Sequence, residues 1–139
     1  MRQPGRETFV WPVRVYYEDT DVGGVVYYAN YLKFMERART EYLRQLGFEQ
    51  DELISDAGII FAVREVQVDY RLPARFNDAL NVSAKINWVK RASLEFDQTI
   101  VLADTQQLLC SGRVRLACLR ADELKATPIP NPLKEALHL

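Results

Sequence analysis

The stretch Asn30–Gly47, NYLKFMERARTEYLRQLG, decides the fold of this chain. Its apolar side chains recur at the three- and four-residue spacing of one helix face: Tyr31, Phe34, Met35, Ala38, Tyr42 and Leu46. Leu32 and Leu43 widen this face, and polar side chains collect on the opposite side: Lys33, Arg37, Thr40 and Arg44. Asn30 can cap the start, and Gly47 can end the helix in the left-handed conformation. We predict one long helix that is buried over more than a narrow stripe.

The remaining segments are predicted to be mainly strands. A short β-branched and aromatic run, Val10 to Tyr17, precedes the helix, and a turn of helix around residues 51–56 is expected after it. From Ile59 onward, apolar and polar residues alternate with the two-residue period of strands. Turn-forming residues divide this region into four strands, which end near Tyr70, Trp88, Leu102 and Leu119. The proline-rich tail predicts an irregular end or a short final helix.

One long apolar helix beside an antiparallel sheet of about five strands is an α+β domain, with the helix covering one face. The short connections predict that consecutive strands are antiparallel neighbours. A length of 139 residues is that of a single domain. Residues 1–8 and 128–139 are expected to be peripheral. The second face of the sheet, expected to be apolar, and its open edges remain uncovered, so we expect at least a homodimer.

The composition argues against several classes of protein. Lys and Arg total 18 and Asp and Glu total 19, and this balance argues against a nucleic-acid binder. No secretory signal and no long apolar segment is visible, so a cytoplasmic protein without a membrane span is expected. Cys110 and Cys118 are expected to be buried free thiols. The only histidine is His138, and no Cys/His spacing indicates a metal site.

The loop before the helix, YEDTDVGGVVYYANY over residues 17–31, carries the chemistry. It places Asp19, Asp21 and the flexible pair Gly23-Gly24 just before a helix N-terminus, where unpaired amides form the positive end of the helix dipole. Such amides can hold a carbonyl oxygen as it becomes negative, while a carboxylate attacks or activates water. A leaving thiolate needs little protonation, because a thiol pKa is about 8.5. The loop therefore suits thioester hydrolysis without histidine.

This loop has two other interpretations. Asp19 and Asp21 alone could form no more than a polar turn. Their spacing also resembles that of a calcium loop, but Gly23 fills the fifth position and Asn30 fills the twelfth, where calcium loops need a bidentate glutamate. Calcium binding is therefore not expected.

The sequence resembles the 4-hydroxybenzoyl-CoA thioesterase family of hotdog-fold proteins. The matching segments are VRVYYEDTD, GGVVY and YANYLKFMERARTEYLRQLGF, followed later by VDYRLPARFNDAL. Within the family, the pattern is most similar to the bacterial acyl-CoA thioesterases associated with the Tol–Pal system. The resemblance implies a hotdog fold, in which an antiparallel sheet wraps around one long central helix. It also implies hydrolysis of acyl-CoA to free acid and CoA, with no cofactor besides the CoA of the substrate.

The resemblance also implies roles for individual residues. The catalytic carboxylate falls on Asp21, as general base for water or as nucleophile through a mixed anhydride. The amide that polarises the thioester carbonyl falls on the backbone N–H of Tyr28, a position where Tol–Pal-type members commonly carry histidine. Lys90 and Arg91, which precede Ser93, fall on the loop that often binds CoA phosphates in hotdog enzymes, and arginine suits phosphate recognition.

The resemblance further implies a homotetramer, built as a dimer of dimers, with the site at a subunit interface. A noncatalytic module that binds acyl-CoA or acyl carrier protein, near envelope or phospholipid machinery, is the alternative. Asp21 separates the two, because a pure binder needs no unpaired carboxylate beside the thioester. A hotdog dehydratase is less favoured, since the Asp and His pair that such enzymes use is missing.

Overall fold

The computed structural model describes residues 8–138, with His138 lacking a described side chain; of the arm predicted at residues 1–8, only Thr8 is described. The strands are β1 Phe9–Arg14, β2 Ile59–Tyr70, β3 Ala79–Val89, β4 Ser93–Leu102 and β5 Leu108–Arg120. The helices are α1 Asn30–Gln45, α2 Gln50–Glu52, which continues as a π-helical turn Leu53–Ala57, and α3 Asn131–His138. The predicted long helix, five strands and short final helix are therefore confirmed.

The five strands form one antiparallel sheet in the order β1-β3-β4-β5-β2. The predicted neighbours β3–β4 and β4–β5 are confirmed, but the prediction that β2 pairs with β3 is wrong. Residues 71–78, which we call the crossover segment, carry the chain from the β2 edge of the sheet to β3. This path follows from the position of α1, because strands on both sides of the helix are needed to bury it.

The two ends of α1 differ in how well the sequence predicts them. Gly47 has φ +98°, so the left-handed end is confirmed. The prediction that Asn30 caps the helix is wrong: Ala29 occupies the cap position, and Asn30 is the first helical residue. The side chain of Asn30 instead donates to the backbone carbonyl of Asp19 at 2.8 Å. Leu32, predicted to widen the apolar face, is 39% exposed.

The core lies between α1 and one face of the sheet. Phe34, Met35 and Ala38 of α1 are buried against the alternate side chains of the central strands: Leu80, Val82, Ala84, Ile86, Leu94, Phe96, Ile100, Val114 and Leu116. The chain end is not peripheral, as residues 128–139 were expected to be, because apolar side chains of the tail are buried in the same cluster: Ile129, Leu133 and Leu137. Cys110 and Cys118 are buried and free, as predicted, and burial raises the pKa of the Cys110 thiol to about 12.

A buried polar connection joins α1 to the middle of the sheet. Arg39 Nη1 donates to Gln98 Oε1 at 3.0 Å, and Gln98 Nε2 donates to the carbonyls of Met35 and Ser83 at 3.0 and 3.1 Å. Burial lowers the pKa of Arg39 to about 10. A hydrogen bond to a charged group contributes about 1.5–3 kcal/mol. This connection therefore favours one position of the helix along the sheet.

The second face of the sheet is polar, so the expectation of an apolar face is wrong. It carries the intervening side chains of the same strands: Asn81, Ser83, Lys85, Asp97, Thr99, Ser111 and Arg113. The exposed apolar side chains include four along the β2 edge and the residues that follow it: Val63, Val66, Tyr70 and Leu72. Among the helices of residues 8–138, none combines the length and the hydropathy of a membrane span.

Gly112 lies where Met35 of α1 touches the sheet. A Cβ at this position would meet Met35 Cε at 3.2 Å and the Gln67 carbonyl oxygen at 3.3 Å. Because overpacking a filled core costs about 1–3 kcal/mol, we expect Gly112→Ala to destabilise the protein by that amount. At about 2–4 °C per kcal/mol, the fall in Tm is measurable by calorimetry. An unchanged Tm would contradict this close packing of α1 on β5.

Candidate active site

The loop that precedes α1 lies on the crossover segment. We call residues 15–29 the site loop. The Val26 N–H donates to the Ala74 carbonyl at 2.8 Å, and the Phe76 N–H donates to the Gly24 carbonyl at 3.3 Å. At the start of the loop, the Val15 N–H donates to the Asp78 carbonyl at 2.9 Å. The route of the chain between β2 and β3 therefore fixes the position of the loop.

Asp19 holds the two ends of the site loop together. Its carboxylate Oδ2 accepts a hydrogen bond from the Tyr16 N–H at 2.9 Å. Its backbone carbonyl accepts from the Tyr27 N–H at 3.1 Å and from Asn30 Nδ2 at 2.8 Å. Asp19 is therefore engaged through both its main chain and its side chain. These hydrogen bonds indicate that Asp19 stabilises the conformation of the loop.

Asp21 lies differently from Asp19. Its carboxylate is exposed, and Oδ1 accepts a hydrogen bond from the Gly23 N–H at 2.9 Å. The Gly24 N–H, in a residue with φ +76°, donates to the Asp21 carbonyl at 3.0 Å and closes a tight turn. The structure shows no partner for Oδ2 among residues 8–138. One oxygen of this carboxylate is thus held by the turn, while the other is open to a substrate or a water molecule.

The N-terminal end of α1 presents two open amide donors. The N–H groups of Asn30, Tyr31 and Leu32 donate to the carbonyls three residues earlier, at 2.8, 3.3 and 3.2 Å. The N–H groups of Tyr28 and Ala29 have no acceptor in the described part of the chain. They are the first open donors at the positive end of the helix dipole. The predicted position of the Tyr28 amide is therefore one from which it can bind an oxygen that gains negative charge.

A hairpin within the site loop places Asp21 on the strand that pairs with the residues leading into this helix end. Thr20 and Val26 form an isolated antiparallel bridge. The Asp21 N–H donates to the Val25 carbonyl at 3.0 Å on one side of this bridge, and the Tyr27 N–H pairs with Asp19 on the other. The strand that carries Asp21 therefore runs directly alongside the residues that lead to Tyr28.

Three tyrosine rings contact one another at the start of α1. The Tyr28 side chain is 61% exposed, and its ring contacts that of Tyr27, with centroids 4.8 Å apart, and that of Tyr70, at 6.1 Å. The Tyr70 hydroxyl donates to the Tyr28 carbonyl at 3.2 Å. Sequence reasoning did not assign Tyr70 to the site. The residue lies within the matching segment VDYRLPARFNDAL, but its contact with Tyr28 spans 42 positions of the chain.

The structure does not bring Lys90, Arg91 and Ser93 to Asp21 within one chain. These residues form the turn between β3 and β4, whereas the site loop lies at the opposite end of β3. The 11 residues of β3, at about 3.3 Å each, separate the two by roughly 30–35 Å. The predicted CoA-binding turn and the predicted catalytic residues therefore lie at opposite ends of the sheet.

The turn at Lys90 belongs to a cluster of mixed charge around Trp88 that the sequence did not reveal. Lys90 Nζ lies 4.6 Å from the centroid of the Trp88 ring, and the Arg115 guanidinium lies 5.3 Å from the same ring. Arg115 also pairs with Glu65 at 3.4 Å and with Glu95 at 3.7 Å. This cluster could have been predicted only from the register of β4 and β5, which places Glu95 opposite Arg115.

The cavities of the polar face are separate from the site loop. One of about 430 Å³ is lined by residues that include Asp97, Thr99 and Arg113. Within residues 8–138, no group of three His, Cys, Asp or Glu side chains is arranged to hold a metal ion.

Known proteins share this sequence pattern and this architecture. A sequence profile of the Thioesterase-like superfamily matches residues 15–137. The acyl-CoA thioesterase YbgC of Haemophilus influenzae is 42% identical over 130 residues, which are 94% of this chain and 94% of that protein. The acyl-CoA thioester hydrolase YbgC of Escherichia coli O157:H7 is 44% identical over 125 residues, covering 90% and 92% of the two chains.

A solved structure extends the comparison to the fold. The crystal structure of a 1,4-dihydroxy-2-naphthoyl-CoA thioesterase from Synechocystis superposes with a TM-score of 0.88 at 27% identity, covering 95% of this chain and 96% of that one. The sheet that surrounds α1, the site loop at the N-terminus of the helix and the matching profile agree with one another. The chain belongs to the thioesterase-like superfamily of hotdog-fold proteins.

Proposed function

We propose that this protein hydrolyses acyl-CoA thioesters to a free acid and CoA, with Asp21 as the reacting carboxylate and the Tyr28 N–H as the donor to the thioester carbonyl. One observation supports the proposal most strongly. The same loop presents a carboxylate oxygen of Asp21 and the N–H of Tyr28, both without a hydrogen-bond partner among residues 8–138. The similarity to YbgC thioesterases supports acyl-CoA as the substrate class.

Two chemical routes start from this arrangement. In the first, Asp21 takes a proton from water, and the resulting hydroxide adds to the carbonyl carbon. In the second, the Asp21 carboxylate attacks that carbon itself and forms a mixed anhydride, which water then hydrolyses. In both routes the carbonyl oxygen becomes negative and accepts a hydrogen bond from the Tyr28 N–H, and collapse of the tetrahedral intermediate expels the CoA thiolate. The thiolate takes up the proton that water has released, which restores the Asp21 carboxylate. Both yield the acid and CoA, without a metal or a prosthetic group.

The Tyr28 side chain is not required by this mechanism. Its backbone supplies the donor, and its ring is exposed beside the site. Thioesters of acyl carrier protein present the same reacting group, so such a carrier is a second donor class within the proposal. The buried thiols and the similarity to YbgC support a cytoplasmic enzyme. The resemblance to the Tol–Pal-associated members supports a role for the enzyme in connection with that envelope system.

Replacing Asp21 tests the assignment. Asp21→Asn keeps the size of the side chain and an oxygen that accepts the Gly23 N–H, but it removes the base or nucleophile. We expect kcat to fall about 10²–10⁴-fold, with Tm unchanged. A free-thiol assay against a panel of acyl-CoA thioesters measures this.

Asp19→Asn is the matched control, because Asp19 is the other carboxylate of the loop. It should lower kcat much less than Asp21→Asn and leave Tm similar, since the amide oxygen of asparagine can still accept a hydrogen bond from the Tyr16 N–H. An Asp21→Asn protein with more than half of the wild-type turnover would refute the role of Asp21. A wild-type protein that binds these thioesters without turning over any of them would favour the noncatalytic binding module.

The structure supports a homodimer formed along the free edge of β2. This strand is 12 residues long, pairs only on its β5 side among residues 8–138, and exposes Val63 and Val66. A long edge strand with exposed apolar side chains is a template for pairing with another strand. We propose that two copies pair β2 with β2 about a two-fold axis, with a dimer of such dimers as the tetramer.

This arrangement would complete the site. Antiparallel pairing of the two β2 strands reverses one sheet relative to the other. The end of one sheet that carries Asp21 then lies beside the end of the other that carries Lys90, Arg91 and Ser93. The basic turn of one subunit can then bind the phosphates of a CoA whose thioester lies at Asp21 of the other.

Mixed subunits test the shared site. Dimers of Asp21→Asn and dimers of the Lys90→Ala/Arg91→Ala double variant are each expected to be impaired. After subunit exchange in equal amounts, half of the dimers contain one subunit of each kind, and one site in each of these is native. About a quarter of the wild-type kcat/KM should therefore return. Activity that never exceeds the mean of the two parents, or an active monomer by light scattering, would contradict the shared site.

A further inference from the structure

Tyr70 connects the β2 edge to the start of α1. It is the last residue of β2 and lies opposite Cys110 of β5. Its ring packs edge-on against Tyr31, with centroids 5.5 Å apart, and against Tyr28 at 6.1 Å. From this position its hydroxyl donates to the Tyr28 carbonyl at 3.2 Å. Partial burial raises the pKa of Tyr70, so the hydroxyl keeps its proton at neutral pH and remains a donor.

The carbonyl that Tyr70 contacts belongs to a critical peptide unit. A peptide unit is planar and rigid, so a bond to the Tyr28 carbonyl also fixes the Ala29 N–H. The preceding peptide unit contains the Tyr27 carbonyl and the Tyr28 N–H. It is held by a hydrogen bond of 2.8 Å from the Asn30 N–H to the Tyr27 carbonyl. Both peptide units that flank the Tyr28 Cα are thereby fixed.

The helix alone holds the second unit weakly. Among residues 8–138, the Tyr28 carbonyl accepts hydrogen bonds only from the Tyr31 N–H, at 3.3 Å, and from the Tyr70 hydroxyl, at 3.2 Å, and both bonds are long for their kind. The Tyr70 hydroxyl therefore adds a second contact to a peptide that the helix holds by one long bond. A bond at the carbonyl end of a peptide also polarises its N–H.

We propose that Tyr70 is a positioning residue, whose hydroxyl aims the open Ala29 amide, next to that of Tyr28, at the carbonyl oxygen of the substrate. The inference rests on the function proposed above. Donors fixed in advance need no reorganisation as charge develops, whereas a displacement of about 1 Å can cost about 10²-fold in rate. Tyr70 does not touch the reacting atoms in this account. It acts through the peptide that it holds.

Tyr70→Phe isolates the hydroxyl, because the ring and its packing on Tyr31 remain. We expect kcat to fall about 10-fold while KM stays within about twofold, since the fixed donors matter most when the oxyanion forms. Tm and the oligomeric mass should not change.

A spectroscopic readout separates positioning from folding. The infrared stretch of a ¹³C-labelled carbonyl in a bound, non-hydrolysable acyl-CoA analogue reports the strength of its hydrogen bonds. It should shift to higher frequency in Tyr70→Phe than in the wild-type protein. Tyr31→Phe is the matched control: its hydroxyl accepts the buried Ala74 N–H at 2.9 Å. That variant should lower Tm and leave the carbonyl frequency unchanged.

Tyr28→Pro separates failure of this inference from failure of the proposed site. It deletes the amide donor, and proline is tolerated in a first helical turn. If Tyr28→Pro is slow while Tyr70→Phe keeps the wild-type kcat and carbonyl frequency, the role of Tyr70 is refuted and the site stands. If both variants match the wild-type protein, the proposed site itself is wrong. A loss in Tyr70→Phe that follows the folded or dimeric fraction would also overturn the inference, because Tyr70 would then act through stability or assembly.

Discussion

The burial of α1 against one face of the sheet is the constraint on which the rest of the structure depends. Strands must lie on both sides of the helix to cover its apolar face, so β2 pairs with β5 while β3 lies beside β1. The chain between β2 and β3 must then pass the end of the helix. That crossover segment receives the site loop, and its Ala74 bonds both to Val26 and to Tyr31. The need to cover one helix thus positions the candidate active site.

Local periodicity predicted most of the elements. The apolar spacing around Phe34 and Met35 located α1, and strict alternation located β3, because burial on one side imposes these periods. The strand order could not be predicted in the same way, since it depends on which distant segments share the helix as a common core. The polar second face, in contrast, is indicated by the sequence itself, since Asn81, Ser83 and Lys85 alternate with the buried side chains of β3. The expectation of an apolar second face is wrong because it follows from the number of elements and not from these residues.

The candidate site was also predicted only in part from the sequence. Motif and resemblance together singled out the loop and both aspartates, but only the three-dimensional hydrogen bonds distinguish the engaged Asp19 from the open Asp21. Asn30 was expected to cap the helix, yet its amide reaches back to Asp19 because the bridge between Thr20 and Val26 brings that carbonyl close. Contacts of this kind join residues far apart in sequence, and a single sequence contains no signal of their pairing.

The central claim is that the thioester lies between the Asp21 carboxylate and the Tyr28 amide. A crystal structure with a non-hydrolysable acyl-CoA analogue tests it most directly. The account predicts the carbonyl oxygen of the analogue about 2.7–3.2 Å from the Tyr28 nitrogen, with the Asp21 carboxylate facing the carbonyl carbon. The CoA phosphates should lie at Lys90 and Arg91 of the partner subunit. An analogue whose carbonyl lies away from both Asp21 and Tyr28 would contradict the account.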